Sequence, residues 1–550
     1  MLMQGRNAIA KILKAQGVEC VFCFPTNPLL EGVAEEGIRI LTGRTERHAI
    51  HMADGYARTK NTVGVCIVQG GPGAQHAFPG VAQAYADSTP LLILPGGAAR
   101  NRWGLPSEFN PVQAFQTITK WSDVINHAAR IPAIFARAFT LLEMGRRRPV
   151  LLATPRDVAV EEVDDFAFTP IKRVRSAADP ANVREAIALI KVAKHPILFA
   201  GQGILWAEAS DELQQFAEQS SIPVMTTILG KGAFPETHAL ALGSAGPAVT
   251  GMVDHFLSRA DLVIAVGAGL TRTLASHEIP ARKKIIQISI DEADVNAEYH
   301  VDSVLLGDAK LVLRQMIEAF GPTIGTVEDA TKLVTQEIAD VKSKWLSSWM
   351  PKLTSSETPI NPYRVVWELN KIVDKDNTII THDSGMPREQ LSPFYETTKP
   401  RGYLGWGNAH QLGSSLGLIM GAKLAAPKKL AIHFLGDAGF STVANDLETA
   451  IREKLPILTI LVNNSTMAYY DQWIPRAIEK YRVTDVTGNY VQWAHALGCY
   501  AERIEDPEEI AAALKRGIKV VDGGQSAVLE FVTCAENVVS RWGSAYFQRA

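Results

Sequence analysis

The sequence predicts an α/β protein of three domains, each a mostly parallel sheet flanked by helices. Three observations predict it. Short apolar runs alternate with amphipathic stretches along nearly the whole chain, the pattern of parallel strands joined by helical crossovers. At 550 residues the chain is too long for one core, and about three domains are expected. Two stretches break the alternation: 160–182, an acidic cluster followed by KRVRSAADP, and 343–362, SKWLSSWMPKLTSSETPINP. Both read as linkers. They divide the chain into segments 1–165, 183–340 and 361–550.

Taken in order, MLMQGRNAIAKILKAQG reads as an amphipathic helix and lacks the unbroken apolar core of a signal peptide. VECVFCF is an apolar strand pattern. Its Cys20 and Cys23 have C-x-x-C spacing but no second Cys/His pair nearby, so they read as small buried hydrophobes rather than metal ligands. Further strands are expected at 63–69, 91–97 and 150–155, then at 196–203, 262–269 and 284–291, then at 430–437, 458–464 and 527–532. The first and third segments share a strand–helix plan. A hydrophobic content of 47%, a charged content of 21% and a net charge of −3 describe a soluble globular protein. They give no reason to expect nucleic acid or an anionic membrane as partner. No apolar run reaches the roughly 20 residues needed to span a bilayer. Five scattered cysteines, an odd number, argue against a disulfide framework and for the cytoplasm.

Residues 434–464, FLGDAGFSTVANDLETAIREKLPILTILVNN, place chemistry on this frame. An apolar strand that stops on Gly436-Asp437 sets a carboxylate at the carboxyl edge of a parallel sheet, where open α/β folds bind ligands. Gly436 permits close backbone approach and Gly439 adds room. The helix that follows, carrying Asp446, Leu447, Thr449 and Ala450, is expected to direct amide groups toward a phosphate. Asn464 ends the next strand, so neighbouring strand ends offer a carboxylate and an amide oxygen to one point. Asp437, Asn464 and the carbonyl of Thr466 suit a hard cation such as Mg²⁺, with a diphosphate completing its shell. The competing reading is an acid capping a helix and amides closing a turn.

A second stretch, TERHAIHMADGYART (45–59), reads as a helix with small Ala49 and Ala53 on one face, then Gly55, and Glu46 one turn earlier. Together, Glu46-x-x-Ala-x-x-x-Ala-x-Gly-Tyr-Ala-Arg and Gly-Asp-Ala-Gly-Phe…Asn-Asn resemble the thiamine-diphosphate enzymes of the acetolactate synthase, 2-hydroxyacyl-CoA lyase and oxalyl-CoA decarboxylase group. QGGPGAQHAFPGVAQAYADSTPLLIL (69–94) and LETAIREKLPIL support the resemblance. It covers the whole chain: a pyrimidine-binding domain, a nucleotide-binding-like middle domain, and a diphosphate and Mg²⁺ domain.

The resemblance implies that Glu46 hydrogen-bonds the aminopyrimidine ring of thiamine diphosphate and that Leu412 is the apolar wedge beneath the bent coenzyme. It places Gly436, Asp437, Ala438, Gly439, His410, Gln411, Asn464 and Thr466 around the cofactor. It also implies sites built from two subunits, hence a homodimer at minimum and commonly a homotetramer. Ala438 departs from the Gly usual there. No His-His pair of the pyruvate decarboxylase type occurs. Acetolactate synthases carry Phe-Gln-Glu where this chain has Pro106-Ser107-Glu108, whereas Glu108-Phe109 matches the lyase branch. The segment 463–485 resembles actinobacterial 2-hydroxyacyl-CoA lyases, with Glu479 matching their active-site glutamate. The expected activity is therefore cleavage or formation of a 2-hydroxyacyl-CoA to formyl-CoA plus an aldehyde or ketone. The alternative is an acetolactate-synthase-like 2-oxoacid decarboxylase or carboligase, and the remote alternative a catalytically silent nucleotide-binding assembly protein.

Other candidates stand beside plainer readings. His76, after the GPG turn, faces the reacting carbonyl or is a structural histidine. Gln69 faces the substrate or closes a turn. Tyr469 and Tyr470 donate to the substrate or pack. The tail ENVVSRWGSAYFQRA is a lid whose Arg541 and Arg549 meet acyl-CoA phosphates, or a disordered end. In the middle segment Arg272 and Asp291 are candidates for ADP or FAD, and a vestigial pocket is the alternative.

Overall fold

A computed structural model describes residues 2–273, 276–321, 326–409 and 411–540. It contains three six-stranded sheets, and among the described residues every strand pairing within them is parallel. The N-terminal sheet runs Arg39–Thr42, Cys20–Cys23, Gly64–Val68, Leu91–Gly97, Val150–Pro155, Trp121–Val124 from edge to edge. The C-terminal sheet runs Tyr403–Leu404, Thr378–His382, Leu430–Gly436, Leu458–Asn463, Ala527–Val532, Tyr500–Ile504. Counted along the chain, both have the order 2-1-3-4-6-5, which gives the shared plan a definite form. The middle sheet, Ala241–Ala245, Val224–Thr227, Pro196–Ala200, Leu262–Val266, Lys284–Ser289, Ser303–Leu306, has the order 3-2-1-4-5-6 of doubly wound nucleotide-binding folds.

The chain forms two compact units. One comprises Met1–Val174 with Ser414–Pro427 and Val443–Leu455; the other comprises Arg175–Gly413, Lys428–Thr442 and Pro456–Ala550. The 361–550 segment is thus not a self-contained body. Its helices Ser415–Ala425 and Leu447–Arg452 belong with the N-terminal sheet. The reason lies in glycine. A methyl group built on Gly55 would stand 1.9 Å from the Leu418 carbonyl oxygen, and one on Gly421 would stand 1.9 Å from that of Met52. Backbone meets backbone where the Glu46–Lys60 helix crosses Ser415–Ala425. The carbonyls of Ala49 and Ala53 turn toward the sheet. The Ala49 carbonyl accepts from the Cys66 thiol at 3.6 Å, and a methyl on Gly64 would stand 2.6 Å from the Ala53 carbonyl oxygen. One helix therefore uses its alanines against the sheet and its glycine against another helix.

Strand interiors are continuous apolar runs because parallel sheets are covered on both faces. Val65, Ile67, Leu92, Leu94 and Leu152 enter one such core; Ile432, Phe434, Ile460, Leu529 and Phe531 enter another. Cys20 and Cys23 lie buried in their strand, and burial pushes the Cys20 thiol up to about 11. The stretch 343–362 is not a linker throughout. A helix, Thr326–Leu353, runs through its first half, with Trp345, Leu346 and Trp349 packed on the C-terminal core. Those tryptophans anchor a long helix to the sheet rather than facing solvent. Among the described residues no helix is long and apolar enough to cross a membrane.

Candidate active site

In the first unit, Glu46 opens its helix. Thr45 caps that helix by accepting the His48 N–H at 3.2 Å, an arrangement whose loss costs about 1 kcal/mol. The Glu46 carboxylate lies in the first turn, where the helix dipole favours negative charge, yet Glu46 is only 4% exposed. It faces the start of the Pro72–Ala86 helix: His76 Nδ1 lies 3.4 Å from Glu46 Oε2. A methyl on Gly73 would stand 2.5 Å from both Glu46 Oε1 and Gln69 Cβ. Glu46, Gln69 and His76 therefore gather around one glycine. The His76 side chain is 71% exposed, so its ring touches the carboxylate with one edge and solvent with most of the rest.

Asp446 meets the chain on both sides of Glu46. Its Oδ1 accepts the Arg44 N–H at 2.9 Å, and its Oδ2 lies 3.4 Å from His48 Nδ1. The pattern of 437–452 predicts one helix that carries Asp446 and directs its amide groups toward a phosphate. Instead that stretch breaks into a helix Asp437–Val443, a 3₁₀ turn Ala444–Asp446 and a helix Leu447–Arg452, and the turn delivers Asp446 to the other unit. His48 and His51 are wholly buried. Burial holds both imidazoles below their usual value, well below for His51, whose two ring nitrogens lack hydrogen-bond partners. Glu108, exposed-loop neighbour of Phe109, is engaged by Arg102 Nη2 at 2.6 Å.

In the second unit, Asp437 stands at the end of strand Leu430–Gly436, 3% exposed. Its Oδ1 accepts the Ala438 N–H and its Oδ2 the Ser465 N–H, each at 2.7 Å. Burial pushes this carboxyl above its usual range, partly offset by those N–H donors. The two asparagines divide their work. Asn463 Nδ2 donates to buried Glu530 at 2.7 Å, and Asn463 Oδ1 accepts the Ser465 N–H at 3.0 Å. Asn464 Oδ1 accepts the Thr466 N–H at 3.1 Å and closes a turn. Ser465, in that turn, has φ +60°. The Thr466 hydroxyl donates to the Thr484 carbonyl at 3.3 Å.

One functional-looking residue escaped the sequence reading. Asp383, fully buried, follows strand Thr378–His382, and its Oδ1 accepts the N–H of Ser384 at 2.8 Å and of Gly413 at 2.9 Å. Its signal was present: TIITHD, like FLGD, is an apolar strand ending on an acid. Leu412 and Gln411 are half-buried beside Gly413, whose φ is +80°. Gly436 is less crowded than expected, since a methyl there would meet Pro387 Cγ at 3.4 Å, an ordinary contact. Tyr469 and Tyr470 each pack edge-on to Trp473 at 5.7 Å. Glu479 is exposed on the short helix Pro475–Tyr481. His410, Arg541 and Arg549 lie outside the described residues.

In the middle sheet the switch-point crevice is filled by backbone. Gly203 N–H donates to the Gly267 carbonyl at 2.9 Å, and a methyl on Gly203 would stand 2.6 Å from Gly267 Cα. Arg272 lies over the Tyr299 ring at 4.5 Å, and Asp291 caps the turn Glu292–Asp294 by accepting the Ala293 N–H.

Among the described residues no three His, Cys, Asp or Glu side chains converge as a metal site. A cation at Asp437 would therefore draw on amide, carbonyl and phosphate oxygens, the donor set a hard divalent ion accepts. A carboxylate offers about four lone-pair sites, so Asp437 can accept backbone N–H groups and still bind such an ion. The residues present fit a magnesium diphosphate.

Three family models match the chain: the N-terminal TPP binding domain of thiamine pyrophosphate enzymes over residues 3–122, their central domain over 183–316, and their C-terminal TPP binding domain over 383–531. The chain is 33% identical to a probable acetolactate synthase large subunit of Methanococcus aeolicus, covering 94% of this chain and 90% of that one. It is 30% identical to the acetolactate synthase large subunit of Lactococcus lactis, covering 93% and 90%. It is 28% identical to the acetolactate synthase isozyme 3 large subunit of Escherichia coli, covering 94% and 93%.

Proposed function

The chain belongs to the thiamine pyrophosphate enzymes of the acetolactate synthase group, which make and break carbon–carbon bonds, and on that premise we propose that it decarboxylates a 2-oxoacid and joins the remaining fragment to a second carbonyl compound. With pyruvate as both partners, two molecules give 2-acetolactate and CO₂. The supporting observation is that the full-length relatives above are acetolactate synthase large subunits. The 2-hydroxyacyl-CoA lyase expectation, drawn from Glu108-Phe109 and Glu479, yields to it: Glu108 is engaged by Arg102, and Glu479 lies on an exposed helix.

When bound, thiamine diphosphate supplies a nucleophilic carbon and an electron sink for the carbanion left by decarboxylation. Asp437, Asn464 Oδ1 and the Thr466 carbonyl would hold Mg²⁺ and through it the diphosphate, beside Gly436, Ala438 and Gly439. Leu412 and Gln411 would line the ring, Leu412 as its apolar support. Glu46 would hold a proton against the pyrimidine; its burial strengthens that hydrogen bond by excluding water. His76, one contact from Glu46, and Gln69 would meet the substrate carbonyl, with Tyr469 and Tyr470 at the entrance. The family resemblance implies a working site built from two chains, and we assign the protein to a homodimer at minimum, commonly a homotetramer. Five cysteines without disulfides suit the reducing cytoplasm. The filled middle crevice favours a structural role for that sheet over an ADP or FAD site, and flavin absorbance in the purified protein would overturn this.

The deciding experiment supplies thiamine diphosphate and Mg²⁺ and offers pyruvate or a 2-hydroxyacyl-CoA in separate reactions, with products followed by mass. The reading predicts CO₂ and acetolactate without any need for coenzyme A. Formyl-CoA plus an aldehyde from the second substrate, with pyruvate untouched, would restore the lyase assignment.

A further inference from the structure

We propose that Asp383 is a positioning residue that sets the cofactor-binding edge of the C-terminal sheet by tying two strand-end loops to one carboxylate oxygen beside the Asp437 helix start; this rests on the thiamine diphosphate reading above. Asp383 follows Thr378–His382, which pairs with Tyr403–Leu404 on one side and Leu430–Gly436 on the other. Its backbone N–H donates to the Phe434 carbonyl at 3.0 Å, keeping it in register with the Asp437 strand. Oδ1 accepts the Gly413 N–H from the loop after Tyr403–Leu404, and the Ser384 N–H of its own loop. A methyl on Gly439, two residues after Asp437, would stand 3.0 Å from the same oxygen. One oxygen thus bonds the loops leaving two adjacent strands and lies close against the helix start that follows the third.

The neighbouring residue completes the clamp. The His382 ring stacks on Trp406, centroids 5.2 Å apart and planes 13° apart. A methyl on Gly405 would stand 2.3 Å from His382 Nε2. The loop from 405 to 413, which carries Gln411 and Leu412, is therefore held at its start by residue 382 and at its end by residue 383. A fully buried carboxylate is costly unless its hydrogen bonds are made. An apolar residue would fill the space but could not draw in the Gly413 N–H. The carboxylate therefore determines where Leu412 stands relative to Asp437.

The test compares wild type with Asp383→Ala and with Asp383→Asn, which keeps the Oδ1 acceptor. Three quantities are read: thiamine diphosphate Kd with Mg²⁺ by tryptophan fluorescence, kcat and KM for pyruvate, and hydrogen exchange of the 405–417 segment without cofactor. Asp383→Ala is expected to raise Kd about 10- to 100-fold, to lower kcat with less change in KM, and to speed exchange in 405–417. Asp383→Asn is expected to recover most of each. A folded Asp383→Ala protein with unchanged Kd and unchanged exchange would overturn the proposal. So would an Asn variant as impaired as Ala. Should Asp383→Ala not fold, Gly439→Ala crowds the same oxygen and must raise Kd and exchange; no change in either would overturn it. Should wild type bind no thiamine diphosphate, the functional reading fails while the exchange measurement still decides whether Asp383 ties the loop.

Discussion

The N-terminal and C-terminal sheets have one strand order and two different mouths. In both, the first and third strands are neighbours, so each sheet has a switch-point crevice at its carboxyl edge. The N-terminal crevice is plugged. Buried Asn27 follows the first strand, its Nδ2 donates to the Val68 and Leu94 carbonyls at 3.0 and 3.3 Å, and its Oδ1 accepts the Leu29 N–H. The C-terminal crevice holds two buried carboxylates instead, Asp383 and Asp437, each satisfied by backbone N–H groups. Topology supplies the crevice, and the side chains in the segment after the strand decide whether it is closed or kept for a ligand. Having closed its own crevice, the N-terminal sheet offers chemistry one loop away, at the Glu46 helix.

This contrast can be broken by substitution. The largest expected effect is at Glu46. Glu46→Gln should lower kcat by about 100-fold or more, the scale of general acid–base contributions, while leaving Mg²⁺-dependent cofactor affinity near wild type. A steady-state assay with a parallel binding titration checks both, and an active variant would remove Glu46 from the mechanism. Next is Asp437→Ala, expected to weaken thiamine diphosphate binding by about 10- to 100-fold and to abolish its dependence on Mg²⁺, read by titration with and without the metal. If Asn27→Ala did the same, the two mouths would not differ as described. Asn27→Ala should instead destabilise the fold by about 1–3 kcal/mol through lost buried hydrogen bonds, visible in urea unfolding, with cofactor affinity unchanged.

The smallest effect is on pH. Burial holds His48 and His51 below their usual pKa, against the opposing pull of Asp446 on His48. The folded chain therefore binds fewer protons than the unfolded chain below about pH 6.5. Stability should be level above that pH and fall as the solution is acidified through it. His51→Leu should make the fall shallower, as followed by Tm between pH 7 and 5.

Much of this was legible in the primary structure. FLGD and LTILVNN announce strand ends carrying an acid and amides, and the strands are where the apolar runs lie. Glu46 was legible as an acid at the start of a helix, whereas its Thr45 cap and its burial belong to the structure. Asp383 carried the same strand-then-acid signal, but its strand is short and no glycine precedes the acid. Asp446 was misread for a different reason: a helical pattern in ANDLETAIR does not reveal the 3₁₀ turn that breaks it. The first half of 343–362 reads as a linker because the sheet that its tryptophans meet is distant in sequence, and local pattern does not reveal it.

What the sequence determined alone was local: which runs are strands, where each stops, and which side chain stands at the stop, because alternation and chain-reversal chemistry act between near neighbours. Only the tertiary structure decided which stops share a crevice, that Asn27 closes one and Asp383 braces the other, and that Gly55 meets Leu418. Those outcomes depend on backbone atoms hundreds of residues apart coming within van der Waals distance, and no local preference encodes that.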